Sequence, residues 1–213
     1  MKIIKSIAGC VAVGVFTLSS CAKDPLKDLS DNDSRIYITN YDSTTSFSSF
    51  KTYSISDSVA VVDNGTLQKH IATEAEAAII QAIKNNMNER GYQLVDKSGN
   101  PDLGINVTKI VSTQTGLVSY PSYWDYYNSY WDPYYWGYGG YDYYFPYASY
   151  VVYQVREGAL SVDLIDLKDA SGDKTIKGVW NGVIRGQGIF NTDNAAAQVK
   201  ALFDQSAYLI TVN

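Results

Sequence analysis

Residues 150–185 read YVVYQVREGALSVDLIDLKDASGDKTIKGVWNGVIR, and this stretch decides the fold of the chain. Leu160, Val162 and Leu164 occupy alternate positions, which is the two-residue period of a β-strand with one buried face. The residues between them, Ser161 and Asp163, would then lie on a solvated face. The pattern therefore predicts a strand that is dry on one side and wet on the other.

A second strand follows after a short polar connection. Residues 168–174 (KDASGDK) supply the glycine and the aspartates that are typical of a turn. On the return, one face would carry the apolar Ile176, Trp180 and Ile184, and the other face the polar Lys177, Asn181 and Arg185. The sequence therefore predicts a β-hairpin with a tryptophan in its buried face.

The clearest helix is predicted at Thr66–Arg90. Apolar residues recur there at every fourth position, which places them on one helix face: Leu67, Ile71, Ala75, Ile79, Ile83 and Met87. Thr66 is a suitable N-cap, and Gly91 stands where a left-handed C-terminal cap belongs. A second amphipathic helix is predicted at Asn194–Tyr208.

Three further segments are rich in aromatic and β-branched residues and predict strands: Arg35–Tyr41, Phe47–Ile55 and Leu103–Ser112. Strands and two helices in this order predict an α+β fold, in which two helices pack on one face of an antiparallel β-sheet. Residues 35–213 would form a single domain of this kind, interrupted by a Tyr/Trp-rich insertion at residues 113–149.

The N-terminus has the features of an export signal followed by a lipid anchor. Lys2 and Lys5 form a short basic start, and Ile7–Leu18 is an uncharged apolar run that is too short to span a bilayer. The next residues, Leu18-Ser-Ser-Cys21, resemble the lipobox of bacterial lipoproteins, in which the signal is cleaved before the cysteine and the cysteine is acylated. This predicts a signal peptide at residues 1–20, acyl chains such as palmitate on Cys21, and a tether at residues 21–34.

These boundaries exclude several classes of function. Cys10 would leave with the signal and the anchor would consume Cys21, so the mature chain would have no thiol for catalysis, disulfides or zinc. Removing residues 1–20 takes away Lys2 and Lys5 and no acidic residue, so the formal net charge changes from −5 to −7. An acidic chain without clustered Lys and Arg is a poor partner for nucleic acid. The expected partner is the membrane, bound through the N-terminal acyl chains.

Six short segments resemble those of a known family: Phe50-Lys-Thr-Tyr53, Arg90-Gly-Tyr92, Pro101-Asp102-Leu103, Gly158-Ala-Leu160, Val162-Asp-Leu164 and Val179-Trp180-Asn181-Gly182. With the last amphipathic helix and the lipobox, they are similar to the bacterial envelope lipoproteins grouped as domain of unknown function 4136, over roughly Arg35–Asn213. The chain has Asn181 where such proteins often have Arg after the Trp. The resemblance implies an outer-membrane lipoprotein with an α+β domain and no established catalytic residues.

The insertion is the least ordinary part of the composition. Residues 120–153 contain 14 of the 19 tyrosines and three of the four tryptophans. Ser122-Tyr-Trp-Asp125 recurs as Ser129-Tyr-Trp-Asp132, and no Lys or Arg occurs between Lys109 and Arg156. The spacing of Gly and Pro excludes a long helix and predicts a loop or irregular strands.

Three interpretations of the insertion remain open. It is a low-complexity segment folded over the domain or partly disordered, a binding surface for a sugar or an envelope protein, or an aromatic layer at the lipid headgroups. For the binding surface, flat rings beside carboxylate acceptors define the candidate contact residues: Trp124, Trp131, Trp136, Tyr123, Tyr130, Asp125 and Asp132. The absence of basic residues in this segment weakens the lipid interpretation.

No catalytic, metal-binding or cofactor-binding constellation is predicted. His70 and Glu74 form an i,i+4 pair on the predicted helix, which we interpret as a solvated pair rather than two metal ligands. Four aspartates near the hairpin turn lack the spacing of a calcium loop: Asp163 is predicted on the solvated face of its strand, and Asp166, Asp169 and Asp173 are interpreted as turn residues. Ser43 and Ser58 stand in short segments that resemble O-glycan acceptors of some Gram-negative envelope proteins.

The sequence therefore predicts a non-enzymatic lipoprotein of the outer membrane, with a structural or binding role in the cell envelope. The alternative is a surface lipoprotein that binds glycans through the Tyr/Trp-rich insertion. Both interpretations leave open whether the domain faces the periplasm or the cell surface.

Overall fold

The computed structural model describes residues 35–63, 66–111, 115–119, 135–146, 150–154 and 158–211. The predicted signal peptide and the tether lie outside these ranges, together with the lipidation site and six of the candidate contact residues: Cys21, Tyr123, Trp124, Asp125, Tyr130, Trp131 and Asp132.

The described elements follow each other along the chain as eleven strands and three α-helices. The strands are β1 (Ile36–Tyr41), β2 (Thr52–Ile55), β3 (Val59–Asp63), β4 (Thr66–Ile71), β5 (Gln93–Leu94), β6 (Leu103–Val111), β7 (Thr115–Ser119), β8 (Asp142–Tyr144), β9 (Tyr150–Gln154), β10 (Ala159–Asp166) and β11 (Thr175–Arg185). The helices are α1 (Glu74–Glu89), α2 (Ala170–Asp173) and α3 (Ala195–Asp204). Short 3-10 turns lie at Phe47–Ser49, Lys97–Gly99 and Thr192–Asn194.

Nine of the described strands form one sheet whose main path is β1-β11-β10-β6-β2-β5. β3 pairs with β6 beyond the end of β2, and β4 is the outer neighbour of β3. β8 pairs with β11 beyond the end of β1, and β7 and β9 form a separate antiparallel pair. The predicted hairpin is present as β10 and β11, at the centre of the sheet.

The sheet is mixed, so the prediction of an antiparallel sheet is wrong in part. β1, β11, β10 and β6 are antiparallel neighbours, but β2 and β3 run parallel to β6, and β5 runs parallel to β2. Parallel neighbours need a long connection, and here α1 provides it. Because the helix carries the chain back across the sheet, β5 and then β6 begin at the same end as β2.

The predicted helix at Thr66–Arg90 begins eight residues later than expected, at Glu74, because Thr66–Ile71 forms strand β4. A spacing of four residues fits a strand of period two as well as a helix, so Leu67 and Ile71 did not distinguish the two. Thr73 is the N-cap, and its hydroxyl donates to the carboxylate of Glu76. His70 lies in β4, so the predicted pair with Glu74 on one helix face does not form.

Two other boundaries differ from the sequence prediction. Phe47–Ser49 is a 3-10 turn, and only the second half of the predicted strand Phe47–Ile55 is extended, as β2. The last helix ends at Asp204 rather than at Tyr208. Gly91 has φ +88°, as predicted for the residue that ends the first helix.

The first face of the sheet is covered by α1 and α3, as predicted. Trp180 is fully buried there against Phe203 of α3, with ring centroids 5.5 Å apart. The same core contains apolar residues from four strands and both helices: Tyr53, Leu103, Leu160, Leu164, Ile184, Ile79, Ile83, Met87, Val199 and Leu202. This face accounts for the apolar periodicities that the sequence displays.

A β-bulge at Val179 separates Trp180 from Ile176. Leu164 pairs with Trp180, but the next residue, Ile165, pairs with Gly178, so Val179 is the extra residue. The extra residue shifts the alternation of the strand, and Ile176 packs on the face opposite to Trp180 and Ile184. The prediction that these three residues share a face is therefore wrong for Ile176.

The second face of the central strands is buried, not solvated as predicted. Ser161 is 0% exposed and Asp163 is 1% exposed. Residues 135–146 lay aromatic side chains on this face, where they pack with Val62, Ile165 and Ile176. One interpretation of the insertion, a segment folded over the domain, describes residues 135–146, but the sequence did not show which strands such a segment would cover.

Candidate functional site

A row of polar residues crosses the second face at one register. Asn40 of β1 pairs with Asn181 of β11, Asn181 pairs with Asp163 of β10, and Asp163 pairs with Asn106 of β6. Sequence reasoning missed the row because each member belongs to a different strand. The one available signal was the polar residue at a matching position in each predicted strand.

The centre of this row is a buried hydrogen-bonded cluster. Asn181 donates from Nδ2 to Ser161 Oγ at 3.0 Å and to Asp163 Oδ1, and Ser161 Oγ donates to Asp163 Oδ2 at 3.2 Å. Burial raises the pKa of Asp163 to about 8, although the hydrogen bonds from Asn181 and Ser161 oppose this shift. Near neutral pH the carboxyl of Asp163 is therefore largely protonated.

The polar groups at the two ends of the row have fewer hydrogen-bond partners than those at its centre. Among the described residues, the amide nitrogens Nδ2 of Asn40 and Asn106 are buried without a hydrogen-bond partner. Asn106 Oδ1 does have a partner, because it accepts a hydrogen bond of 3.0 Å from Trp136 Nε1. The row therefore connects the central sheet to the aromatic insertion.

Trp136 is the one candidate contact residue within the described ranges, and it packs on the sheet. Its side chain is 8% exposed, and its ring meets that of Tyr135 edge-on at 4.9 Å between centroids. Nearby, Tyr138 donates from its hydroxyl to the carbonyl of Leu167 at 3.2 Å. This part of the insertion is a structural layer, and the indole of Trp136 presents little of its surface to solvent.

The cluster offers hydrogen bonds but no arrangement of nucleophile and base. Ser161 donates to a carboxyl that burial keeps neutral, and its neighbours are amide groups rather than an imidazole or amine. Over the described residues, no group of three His, Cys, Asp or Glu side chains could hold a metal ion. Asp166 Oδ1 accepts from the amide of Asp169, which agrees with their interpretation as turn residues, whereas the prediction that Asp163 lies on a solvated face is wrong because Asp163 is buried.

The segments that resemble the known family serve structural contacts. Asp102 Oδ2 accepts from the amides of Lys51 and Thr52 at 2.6 and 3.1 Å, which ties the start of β2 to the start of β6. Tyr92 donates from its hydroxyl to the carbonyl of Phe47 at 3.1 Å, and Trp180 donates from Nε1 to Ser206 Oγ at 2.8 Å. The motif residues therefore hold the sheet, the turn and the C-terminal segment together.

The two predicted acceptor segments differ in exposure. Ser43 is exposed and Ser58 is half-buried, with its amide donating to Ser56 Oγ. Asp42, which precedes Ser43, is 4% exposed and forms an ion pair with Lys177. Although burial raises the pKa of Asp42, the bonds from Lys177, Thr45 and Thr44 outweigh this effect and hold it well below its usual value.

In the ranges that the structure describes, no helix combines the length and the apolar character that crossing a membrane requires.

Comparisons with known proteins concern the folded domain. No curated protein matches the sequence. Solved structures that resemble the chain include three that differ widely in identity.

The first structure is a DUF4136 family protein from Bacteroides thetaiotaomicron VPI-5482, with 32% identity and a TM-score of 0.68 over 84% of this chain and 98% of that chain. A PDZ domain protein from Parabacteroides distasonis ATCC 8503 has 17% identity and a TM-score of 0.42 over 82% of this chain and 36% of that chain. A PelC dodecamer from Paraburkholderia phytofirmans has 10% identity and a TM-score of 0.40 over 83% of this chain and 99% of that chain.

The family comparison covers most of the described domain. The family model of the domain of unknown function DUF4136 matches residues 38–206, from β1 to the end of the C-terminal helix region. These boundaries include all six short segments of the sequence resemblance, whereas the lipobox lies outside them. The chain therefore belongs to the DUF4136 family.

Proposed function

We propose that this chain is a lipid-anchored lipoprotein of the bacterial outer membrane with a non-enzymatic structural or binding role in the envelope. The observation that carries the proposal is Leu18-Ser-Ser-Cys21, which follows a basic start and a short apolar run. Membership of the DUF4136 family supports it, because the sequence resemblance to that family implies a bacterial envelope lipoprotein.

The position of the cysteine relative to the domain supports an anchoring role. Residues 21–34 separate the acylated cysteine from the first described residue, Arg35. A fully extended chain of this length reaches roughly 45–50 Å, at about 3.3–3.6 Å per residue. Several acyl chains on one residue hold a protein to a bilayer far better than a single chain. The domain would therefore work within a short, fixed reach of the membrane.

The use of polar groups supports a non-enzymatic role. Asp102, Tyr92 and Trp180 bond to backbone and side-chain groups of the fold itself. The buried carboxyl of Asp163 likewise bonds to Asn181 and Ser161. A chain that commits these groups to its own structure is suited to act as a scaffold, with recognition on its surface.

The anchor is tested by mass spectrometry of the N-terminal peptide and by membrane fractionation. We expect a peptide that begins at acylated Cys21, and a Cys21→Ser variant that no longer fractionates with the outer membrane. Cys10→Ser is the matched control, because Cys10 would be removed with the signal. An intact leader with an unmodified Cys21 would refute the proposal.

A second candidate function is glycan binding by the insertion. It is favoured by the density of rings and carboxylates at Trp124, Trp131, Asp125 and Asp132, in a segment without Lys or Arg. Trp136 and Trp180 are buried at 8% and 0% exposure, so they provide a constant fluorescence background. Binding at the candidate residues would change the emission of the other two tryptophans.

Glycan binding is tested by titrating the intrinsic fluorescence with purified envelope polysaccharides. We expect a saturable shift in the natural chain and none in the Trp124→Ala/Trp131→Ala double variant. A shift of equal size in the double variant, or no shift with any polysaccharide, would remove this candidate. The result does not depend on the outcome of the anchor experiment.

A further inference from the structure

The outermost strands on this side of the sheet, β5 and β4, leave part of the edge next to β2 uncovered. β5 covers only Thr52 and Tyr53 of β2, and β4 covers β3 from Val59 onward. Residues 54–58 lie between these two pairings and carry no strand partner on their outer side among the described residues. Between the end of β5 and the end of β4, the outer edge of the sheet therefore has a gap that is about five residues long.

A groove occupies this gap. Its volume is ≈ 560 Å³, and it is lined by the end of β2, by the chain that follows β5, by α1 on one side of the sheet, and by the insertion on the other. The residues that matter for recognition are Ile55, Asp57, Lys84, Leu94, Lys97 and Tyr135. The groove thus follows the line along which a further strand would run.

The backbone of β2 alternates between its two neighbours, and this alternation places Ile55 on the open side. The carbonyls of Lys51 and Tyr53 accept from Gln93 and Val95 of the outer chain, both at 2.9 Å. Ser56, one residue further along, turns its amide inward to the carbonyl of Ile105 on β6 at 3.4 Å. By this alternation, the amide and carbonyl of Ile55 point into the groove. A strand edge that has no strand partner among the described residues is a template for an added strand.

The walls of the groove carry charges of both signs, with Asp57 and Asp96 as well as two lysines. Lys84 is half-buried and is the charged residue with which α1 lines the groove. On the other side, Lys97 places Nζ 4.1 Å from the ring centre of Tyr135, and the two side chains form a wall with an apolar body. An acidic side chain toward α1 and an aliphatic side chain toward Tyr135 would therefore alternate along an occupant of the groove.

We propose that the groove between β5 and β4 binds an extended peptide segment of a partner protein, which adds to the open edge of β2 at Ile55 with an acidic side chain facing Lys84. Main-chain hydrogen bonds to Ile55 supply the register, and the alternating walls supply the selectivity, as in other strand additions. A glycan would use the aspartates and the ring of Tyr135 instead, and would not require the backbone of Ile55.

The test uses the purified chain in nonionic detergent and a fluorescein-labelled hexapeptide TEVEVT, which places both Glu side chains on one face of a strand. Fluorescence anisotropy measures binding up to millimolar protein. We expect TEVEVT to bind, and the Lys84→Glu variant to bind it about fivefold or more weakly, as for the loss and reversal of a partly exposed ion pair. Lys200→Glu, on the exposed side of α3, is the matched control and leaves the affinity unchanged.

The backbone readout separates strand addition from side-chain recognition. In a chain labelled with ¹⁵N-isoleucine, TEVEVT should slow the amide exchange of Ile55 and leave Ile105, inside the sheet, unchanged. Two analogues N-methylated at alternate residues complete the test, because only one of them blocks the donors that face Ile55. We expect one analogue to lose binding and the other to retain it.

Three results would overturn the proposal. The first is equal binding of both N-methylated analogues. The second is unchanged amide exchange at Ile55 with saturating or millimolar peptide. The third is slower amide exchange at Ile55 with triacetylchitotriose in place of the peptide. None of these results bears on the lipid anchor, which has its own test.

Discussion

The indole of Trp180 lies across Gly182, two residues along the same strand. A Cβ on Gly182 would approach Trp180 Cη2 to 2.5 Å and a methyl group of Leu202 to 3.1 Å. Glycine is therefore required at this position by close packing rather than by its backbone angles. The contact gives a physical reason for the Val-Trp-Asn-Gly segment.

Gly182→Ala should destabilise the domain by roughly 1–3 kcal/mol, because the methyl group overpacks a fully buried ring. Chemical denaturation followed by tryptophan fluorescence measures the change. Gly172→Ala is the control, since nothing lies within 4 Å of its added Cβ. If the two alanine variants were equally stable, the close contact at Gly182 would be wrong.

The hydrogen bond from Trp136 to Asn106 predicts a graded effect on stability. Trp136→Phe removes the donor but keeps a ring, and should cost roughly 1–2 kcal/mol because Asn106 Oδ1 loses its partner in a buried position. Trp136→Ala also removes the aromatic cover and should cost roughly 3–5 kcal/mol. Urea unfolding distinguishes them, and Tyr144→Ser, at a residue 55% exposed, should have little effect.

The buried carboxyl of Asp163 predicts a pH dependence of folding. Its pKa is about 8 in the fold and about 3.9 in an unfolded chain, so between these values the folded state binds more protons. The free energy of unfolding should therefore fall as pH rises from about 4 to about 8, and then become independent of this group.

Asp163→Asn should remove that slope, since an amide does not ionise; its oxygen accepts from Asn181 Nδ2, and its NH2 donates to Ser161 Oγ, which acts as the acceptor instead of the donor. At pH 8 the variant should be more stable than the natural chain by about 5 kcal/mol, with the difference vanishing below about pH 4. Denaturant titrations across the pH range measure both. A natural chain and variant with parallel pH profiles would contradict the raised pKa.

The ion pair between Asp42 and Lys177 predicts a dependence of stability on pH that is opposite in direction to that of Asp163. Because the pKa of Asp42 is lowered in the fold, its contribution is present above the unfolded value of about 3.9 and is lost as pH falls through the folded value. Lys177→Gln should cost roughly 1–3 kcal/mol at pH 7, since it leaves a buried carboxylate without its cation. Lys200→Gln removes an exposed pair with Asp204 and should cost about 0.5 kcal/mol or less.

Gln198 of α3 is an uncompensated polar group in the core. It is 2% exposed, and among the described residues neither its amide oxygen nor its nitrogen has a hydrogen-bond partner. Gln198→Met keeps the length of the side chain and should stabilise the domain by roughly 1–2 kcal/mol. Asn86→Leu should have the reverse effect, because Asn86 Nδ2 donates to the carbonyl of Ala82. Thermal unfolding of both variants gives the two signs.

The local part of the fold could be predicted because it depends on neighbours in sequence. The alternation around Leu160 and the turn at residues 168–174 predicted the hairpin, and the periodicity around Ile79 predicted the helix. The bulge at Val179 could not be predicted, because one inserted residue leaves the apolar pattern nearly intact while it reverses the face. The parallel pairing of β2 with β6 depends on a crossover, which no local pattern records.

The candidate site could be predicted only in pieces, for the same reason. Asp163 was read as solvated because the strand that carries it does not show what covers it. Trp136 was read as a contact residue because its partner, Asn106, lies 30 residues away. The groove combines Ile55, Lys84 and Tyr135, and only folding brings these three segments together.

The aromatic layer of residues 135–146 limits how the insertion can be dissected. It shields apolar side chains of the sheet that helices do not reach, among them Val62, Ile165 and Ile176. A truncated chain would therefore expose these apolar side chains. Any partner that it gained or lost would then reflect nonspecific hydrophobic binding rather than a specific contact of the insertion. Single substitutions at the edge of the layer leave the layer in place, and they are therefore the informative way to test what the insertion binds.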